Sequence, residues 1–82
     1  DFNKSNIDIR VAVKEKSIYF IHDPDLDLNS TTVQIYNITG KKVYEGKFEN
    51  EIRLDFLDQG IYLYHINSPK LNSLIVNKFI LK

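Results

Sequence analysis

An all-β fold is predicted: an Ig-like antiparallel β-sandwich of about seven strands in two sheets. Three observations carry it. Short apolar segments recur at even spacing with polar turns between them, and no window repeats with a helical period. Within several segments, apolar and polar residues alternate, as in strands with one buried face. Asp58-x-Gly60-x-Tyr62 has the spacing of a tyrosine corner, a device of Greek-key sandwiches in which an inward ring bonds upstream backbone across a bend. The other reading of those residues is a plain turn with a buried tyrosine.

The elements follow in order. Asp1 to Asn6 is polar and reads as a loose linker. Ile7, Ile9, Val11 and Val13 alternate with Asp8, Arg10 and Ala12, giving a half-buried strand. Lys14-Glu15-Lys16-Ser17 is a polar turn leading to Ile18-Tyr19-Phe20-Ile21, a short strand apolar on both faces. His22 to Ser30 is irregular, and Pro24 cannot donate to a ladder, so a loop or sheet edge is expected. Leu26 and Leu28 between acids read as an alternating edge segment.

Thr31 to Ile38 is rich in β-formers, with Val33 and Ile35 as the inward pair. Asn37-Ile38-Thr39-Gly40 fits a type I turn with a glycine bulge. Lys41 to Glu45 runs back, Gly46 marks a bend, and Phe48 anchors a charged connection. Ile52, Leu54 and Phe56 alternate with Arg53 and Asp55 as the next strand. Asp58 can fold its carboxylate onto nearby backbone N–H groups, and Gly60 can take positive φ without steric cost. If Tyr62 points inward, so do Tyr64 and Ile66, leaving Ile61, Leu63 and His65 on the other face. Those outer residues beside an apolar final strand form a modest binding patch unless neighbouring segments cover them. Ser68 to Asn72 is a turn, and Ser73 to Lys82 is the final strand.

The 82 residues make one domain with a thin core. Eleven basic residues balance eleven acidic ones, so nothing predicts attraction to nucleic acid or anionic lipid. With no cysteine, neither disulfides nor thiolate metal sites are available. With no methionine either, Asp1 reads as a cut end, and residues 1–82 as the C-terminal domain of a longer parent. No signal peptide or transmembrane segment is visible.

Chemistry-bearing motifs are sparse. Asp23, Asp25 and Asp27 alternate like the start of a calcium loop, but Leu28 and Gln34 stand where an EF-hand needs glycine and glutamate. His22 and His65 are too separate in the pattern to make a zinc site. No nucleophile elbow or phosphate loop exists, so no enzyme is expected and no cofactor is called for. Asn3, Asn29 and Asn37 begin N-glycosylation patterns, although the turn accounts for Asn37 without a sugar. Lys78 and Lys82 bracket the apolar triplet Phe79-Ile80-Leu81, which suggests docking or recognition at a chain end that would otherwise fray.

The order Val33-x-Ile35-Tyr36-Asn37-Ile38-Thr39-Gly40-Lys41-x-Val43, then Gly60-Ile61-Tyr62, then Lys78-Phe79-Ile80-Leu81-Lys82 resembles the C-terminal sorting domains of the type IX (Por) secretion system of Bacteroidetes-type bacteria. The likeness runs from about Ser17 to Lys82. Many members also carry a Pro-Asn-Pro-like element before the first strands, and here the only nearby proline is Pro24. By position, Gly40 and Lys41 match the family's hairpin motif, Gly60 and Tyr62 its inner motif beside Asp58, and Lys78 to Lys82 its terminal recognition segment.

The resemblance implies an Ig-like domain that directs an attached N-terminal cargo from the periplasm through the outer-membrane translocon. The destination is the cell surface or the medium. It further implies contact with shuttle and sortase components, and in many members cleavage and anchoring to lipopolysaccharide. The competing reading is a fibronectin-like adhesion or spacer module, whose candidate aromatic platform would be Tyr19, Tyr36 and Tyr44. Edge-strand logic adds self-association through the last strand.

Overall fold

The computed structural model describes residues 9–70 and 72–82. The expectations for Asp1 to Asn6, Ile7 and the Asn3 pattern lie outside these residues, as does Leu71 in the 68–72 turn. Among the described residues there are seven strands: β1 (Ile9–Lys14), β2 (Ser17–His22), β3 (Thr32–Asn37), β4 (Lys42–Lys47), β5 (Glu51–Arg53), β6 (Gly60–Ser68) and β7 (Ser73–Leu81). They form an antiparallel three-stranded sheet, β1-β2-β5, and an antiparallel four-stranded sheet, β4-β3-β6-β7. In Ig lettering this is A-B-E against C′-C-F-G. The chain changes sheet between β2 and β3, between β4 and β5, and between β5 and β6.

Alternation builds the core. Ile18 and Phe20 from β2, Val33 and Ile35 from β3, Ile52 from β5, Tyr62, Tyr64 and Ile66 from β6, and Phe79 and Leu81 from β7 are all buried, together with Leu54. Phe20 joins the two layers. Its ring lies 5.3 Å from Phe48 and 5.7 Å, edge-on, from Tyr64. Thr31 and Ser68 are buried polar residues, and they satisfy each other: the Thr31 hydroxyl donates to Ser68 Oγ at 3.1 Å.

Two turns are built as the residues suggest. At Asn37–Gly40, the Gly40 amide donates to the Asn37 carbonyl at 2.9 Å and Gly40 takes φ +93°. The Asn37 side chain closes the turn, its Oδ1 accepting from the Thr39 amide, the Thr39 hydroxyl and the Lys41 amide. The register then slips between Ile35 and Tyr36, leaving Val43 as the extra residue of a bulge. The β1–β2 turn falls at Lys14–Ser17 and is built without glycine. Lys14 pairs with Ser17, so only Glu15 and Lys16 turn the chain, at φ 53° and 66°. Left-handed backbone at two side-chain-bearing residues is held from outside: the Leu54 amide donates to the Lys16 carbonyl, and Lys16 Nζ to the Leu57 carbonyl.

In β2, apolar side chains occupy both faces, with Ile18 and Phe20 buried and Ile21 exposed on the outer one. Three expectations are corrected. The alternation Ile52-Leu54-Phe56 breaks at its third member. A turn closed by the Leu57 amide on the Leu54 carbonyl ends the strand after Arg53, so Leu57 packs on the core and Phe56 is 63% exposed. Gly46 does not bend the chain but pairs with Val33 inside β4, and the Tyr44 ring lies across it: a Cβ there would sit 2.7 Å from the Tyr44 hydroxyl. Leu26 and Leu28 lie in a loop, not an edge strand.

Candidate functional site

The residues singled out by motif lie far apart in sequence, and strand register gathers them at one end of the four-stranded sheet. Asn37 pairs with Tyr62, and Tyr62 pairs with Phe79. Gly60 pairs with Leu81. The Asn37–Lys41 turn, the Asp58–Tyr62 corner and the end of β7 are therefore neighbours on consecutive strands β3, β6 and β7.

The corner itself is formed. Tyr62 is buried and its hydroxyl donates to the Asp58 carbonyl at 2.8 Å. Asp58 takes part through its backbone rather than its carboxylate. Gly60 has φ +156°, which L side chains rarely adopt, and this lets the chain enter β6 at the angle that aims Tyr62 inward. The Tyr62 ring then packs 5.9 Å from Phe79, so the corner supports the terminal strand directly.

The terminal pentapeptide divides between two faces. Phe79 and Leu81 are buried at 6% and 1% exposure, inside the sandwich. Lys78, Ile80 and Lys82 are exposed. Only the second set is available to touch anything else. Its apolar member, Ile80, pairs with Ile61 on β6.

That face continues along β6 and β7. Ile61, Leu63 and His65 turn outward as the alternation requires; Ile61 is exposed, and neighbouring side chains leave the other two half-buried. Their β7 partners are Ile80, Lys78 and Val76, with Leu74 beyond. Across β3 the same face carries Tyr36, whose ring lies 4.6 Å from His65. The polar side of the face is a chain of contacts: Tyr36 donates to Gln34, Gln34 to Glu45, and Lys42 Nζ to Glu45 at 2.7 Å. This bonding holds the Glu45 carboxyl below its ordinary value and the Lys42 ammonium above its own.

The other candidates have structural employment. Asp23 Oδ1 accepts from the Asp25 amide and Asp27 Oδ1 from the Asn29 amide, while Asp27 also pairs with Lys70 at 2.8 Å. Asp23 and Asp27 thus cap turns, and Asp27 ties the loop to the β6–β7 hairpin. Among the described residues, no group of three or more ligating side chains could hold a metal. His22 contacts Asn50 and the Phe48 ring, on a different sheet from His65. In the Asn29 pattern the threonine is buried, and in the Asn37 pattern the amide oxygen is engaged by the turn.

Tyr19, Tyr36 and Tyr44 do not make an aromatic platform. Tyr19 alternates outward on the first sheet, Tyr36 lies on the outer face of the second, and Tyr44 folds over Gly46 on the inner side. Inside the sandwich, burial raises the Tyr64 phenol above its ordinary value, a hydrogen bond with Asn77 partly opposing it.

Beside β7 lies β1, the exposed edge of the other sheet. The two edges flank an open groove whose lining includes Val11, Val13, Tyr64 and Phe79, together with Arg10 and Lys78.

Compared with known protein families, the chain matches over residues 3–82 the family described as secretion system C-terminal sorting domain. No curated protein matches it.

Proposed function

Since this chain belongs to the family of secretion system C-terminal sorting domains, we propose that the export machinery reads the outward residues of its terminal strand, Lys78, Ile80 and Lys82. The domain is a C-terminal sorting signal for type IX secretion, attached to an N-terminal cargo that it sends across the outer membrane to the cell surface or the medium. The family is non-catalytic in general.

The observation that carries the residue assignment is the division of the pentapeptide. Phe79 and Leu81 are spent on the core, so their part in recognition is to fix the strand. Lys78 and Ile80 stand clear of the sheet and present one cation beside one aliphatic side chain. Gly40, Lys41, Asp58, Gly60 and Tyr62 shape the end of the sheet on which that strand rests. The components that meet the strand are an outer-membrane translocon with its shuttle and sortase. Removal of the domain near its start, and linkage of the cargo to lipopolysaccharide, complete this reading.

The test is export of a fluorescent reporter fused ahead of residues 1–82 in a type IX-competent host. Lys78→Glu and Ile80→Asp are compared with the unaltered domain, and folding of each is checked by circular dichroism. Loss of surface or medium delivery with folding retained supports the assignment. Unchanged delivery by both variants overturns it.

A further inference from the structure

We infer that the outer face of β6 and β7 is a docking surface for an acid-bearing apolar protein partner, extending well beyond the terminal pentapeptide. This rests on the sorting reading, and it names the partner's chemistry.

The surface is contiguous by register. Ile61 faces Ile80, Leu63 faces Lys78, His65 faces Val76, and Asn67 faces Leu74 across adjacent strands. Leu74, Val76, Ile61 and Ile80 are 62%, 50%, 45% and 55% exposed, so the apolar side chains form a ribbon rather than isolated points. Apolar ribbons of this kind, rimmed by polar groups, mark interaction sites on soluble domains. The Tyr36 ring on His65 widens it toward β3 and supplies an aromatic of the type enriched at protein interfaces.

Charge selects the partner. The chain as a whole is neutral, with eleven basic and eleven acidic residues. The outer face is not neutral. Register and alternation place Lys42, Lys47, Lys78 and Lys82 on it, against one acid among the described residues, Glu45. Glu45 is already engaged by Lys42. Lys78, opposite Leu63 in the middle of the ribbon, has no ion-pair partner among the described residues. An apolar surface with a carboxylate set against Lys78 complements this face. An anionic membrane suits it less, because lipid-binding segments cluster about 4–8 basic residues, whereas the four lysines here are split between β4 and the β7 end at opposite sides of the sheet, and Lys42 is neutralised by Glu45.

The experiment uses the same reporter with Val76→Asp, Val76→Lys and Ile21→Asp. Val76 lies outside the pentapeptide, and Ile21 is an equally exposed aliphatic on the other sheet. Thermal unfolding shows whether each variant is folded. The expectation is a loss of about thirtyfold in delivery for Val76→Asp, the scale of one interface hot spot, with Val76→Lys retaining more and Ile21→Asp unchanged. Equal loss for Asp and Lys at Val76 overturns the acidic partner. No loss for Val76→Asp, with the unaltered domain exported, overturns the docking face and leaves the sorting reading intact. Failure of the unaltered domain to leave the periplasm counts against the sorting reading itself. Sedimentation of the purified domain with phosphatidylglycerol vesicles, abolished by Val76→Asp and Lys78→Glu, would make the partner a lipid surface and overturn a protein one.

Discussion

The Tyr62 hydroxyl reaches back to the Asp58 carbonyl at 2.8 Å, while the same ring lies 5.9 Å from Phe79 on the next strand. One side chain thus links the turn that starts β6 to the strand that closes the sheet. Tyr62→Phe keeps the ring and removes the bond. It should lower unfolding free energy by about 1–2 kcal/mol, because a shielded carbonyl loses its donor. Urea unfolding of the two proteins checks this, and equal midpoints would remove the corner from the account of stability.

The terminal strand should show two kinds of residue. Phe79→Ala and Leu81→Ala each cost about 2–5 kcal/mol, as large-to-small changes in a filled core. Ile80→Ala costs under about 1 kcal/mol, since half its surface already meets water. A denaturant series across the three variants measures the contrast. A comparable cost at all three positions would mean that the strand does not present the faces described.

Gly40 stands at φ +93° with nothing near its missing side chain. Gly40→Ala therefore tests backbone conformation without a clash. A loss of about 1–2 kcal/mol is expected from placing a Cβ in left-handed backbone. An unchanged midpoint in thermal or urea unfolding would show that the turn relaxes at no cost.

Asp27 is held below the usual carboxylate range, first by its hydrogen bond with Lys70 and then by the Asn29 amide. A depressed value stabilises the fold fully above the ordinary carboxylate pKa, and the contribution is lost as pH falls through the lowered midpoint. Lys70→Gln should move the Asp27 midpoint upward in an NMR titration. Added salt should do the same to a lesser degree, because the pair is exposed. A midpoint indifferent to both changes would discard the ion pair.

Where one face of a strand is buried, the sequence was a sufficient guide. Val33 and Ile35, and Tyr62, Tyr64 and Ile66, are inward as their spacing requires, and the corner motif located the bend. The failures share a cause: a local pattern was decided by something distant. Phe56 continued an alternation that a turn at Leu54–Leu57 interrupts, and that turn is anchored by Lys16 from another hairpin. Gly46 looks like a hinge, yet inside a strand it serves as the floor for the Tyr44 ring. At the candidate site, Lys78 to Lys82 reads as one apolar block with charged ends. Period-two alternation is present there too, but it separates core from surface only once the neighbouring strand is known.

The first and last strands described, β1 and β7, lie side by side although the whole domain separates them along the chain. Phe79 and Leu81 fill a core whose other members come from β2, β3, β5 and β6. The sandwich therefore cannot close around its interior until β7 arrives, and a topology this non-local folds slowly, in about milliseconds to seconds. During synthesis, strands made earlier must wait for the last one, with their apolar faces uncovered. Arrival of β7 thus closes the sandwich and completes the outer face of the four-stranded sheet in one event, and a product cut before β7 lacks both.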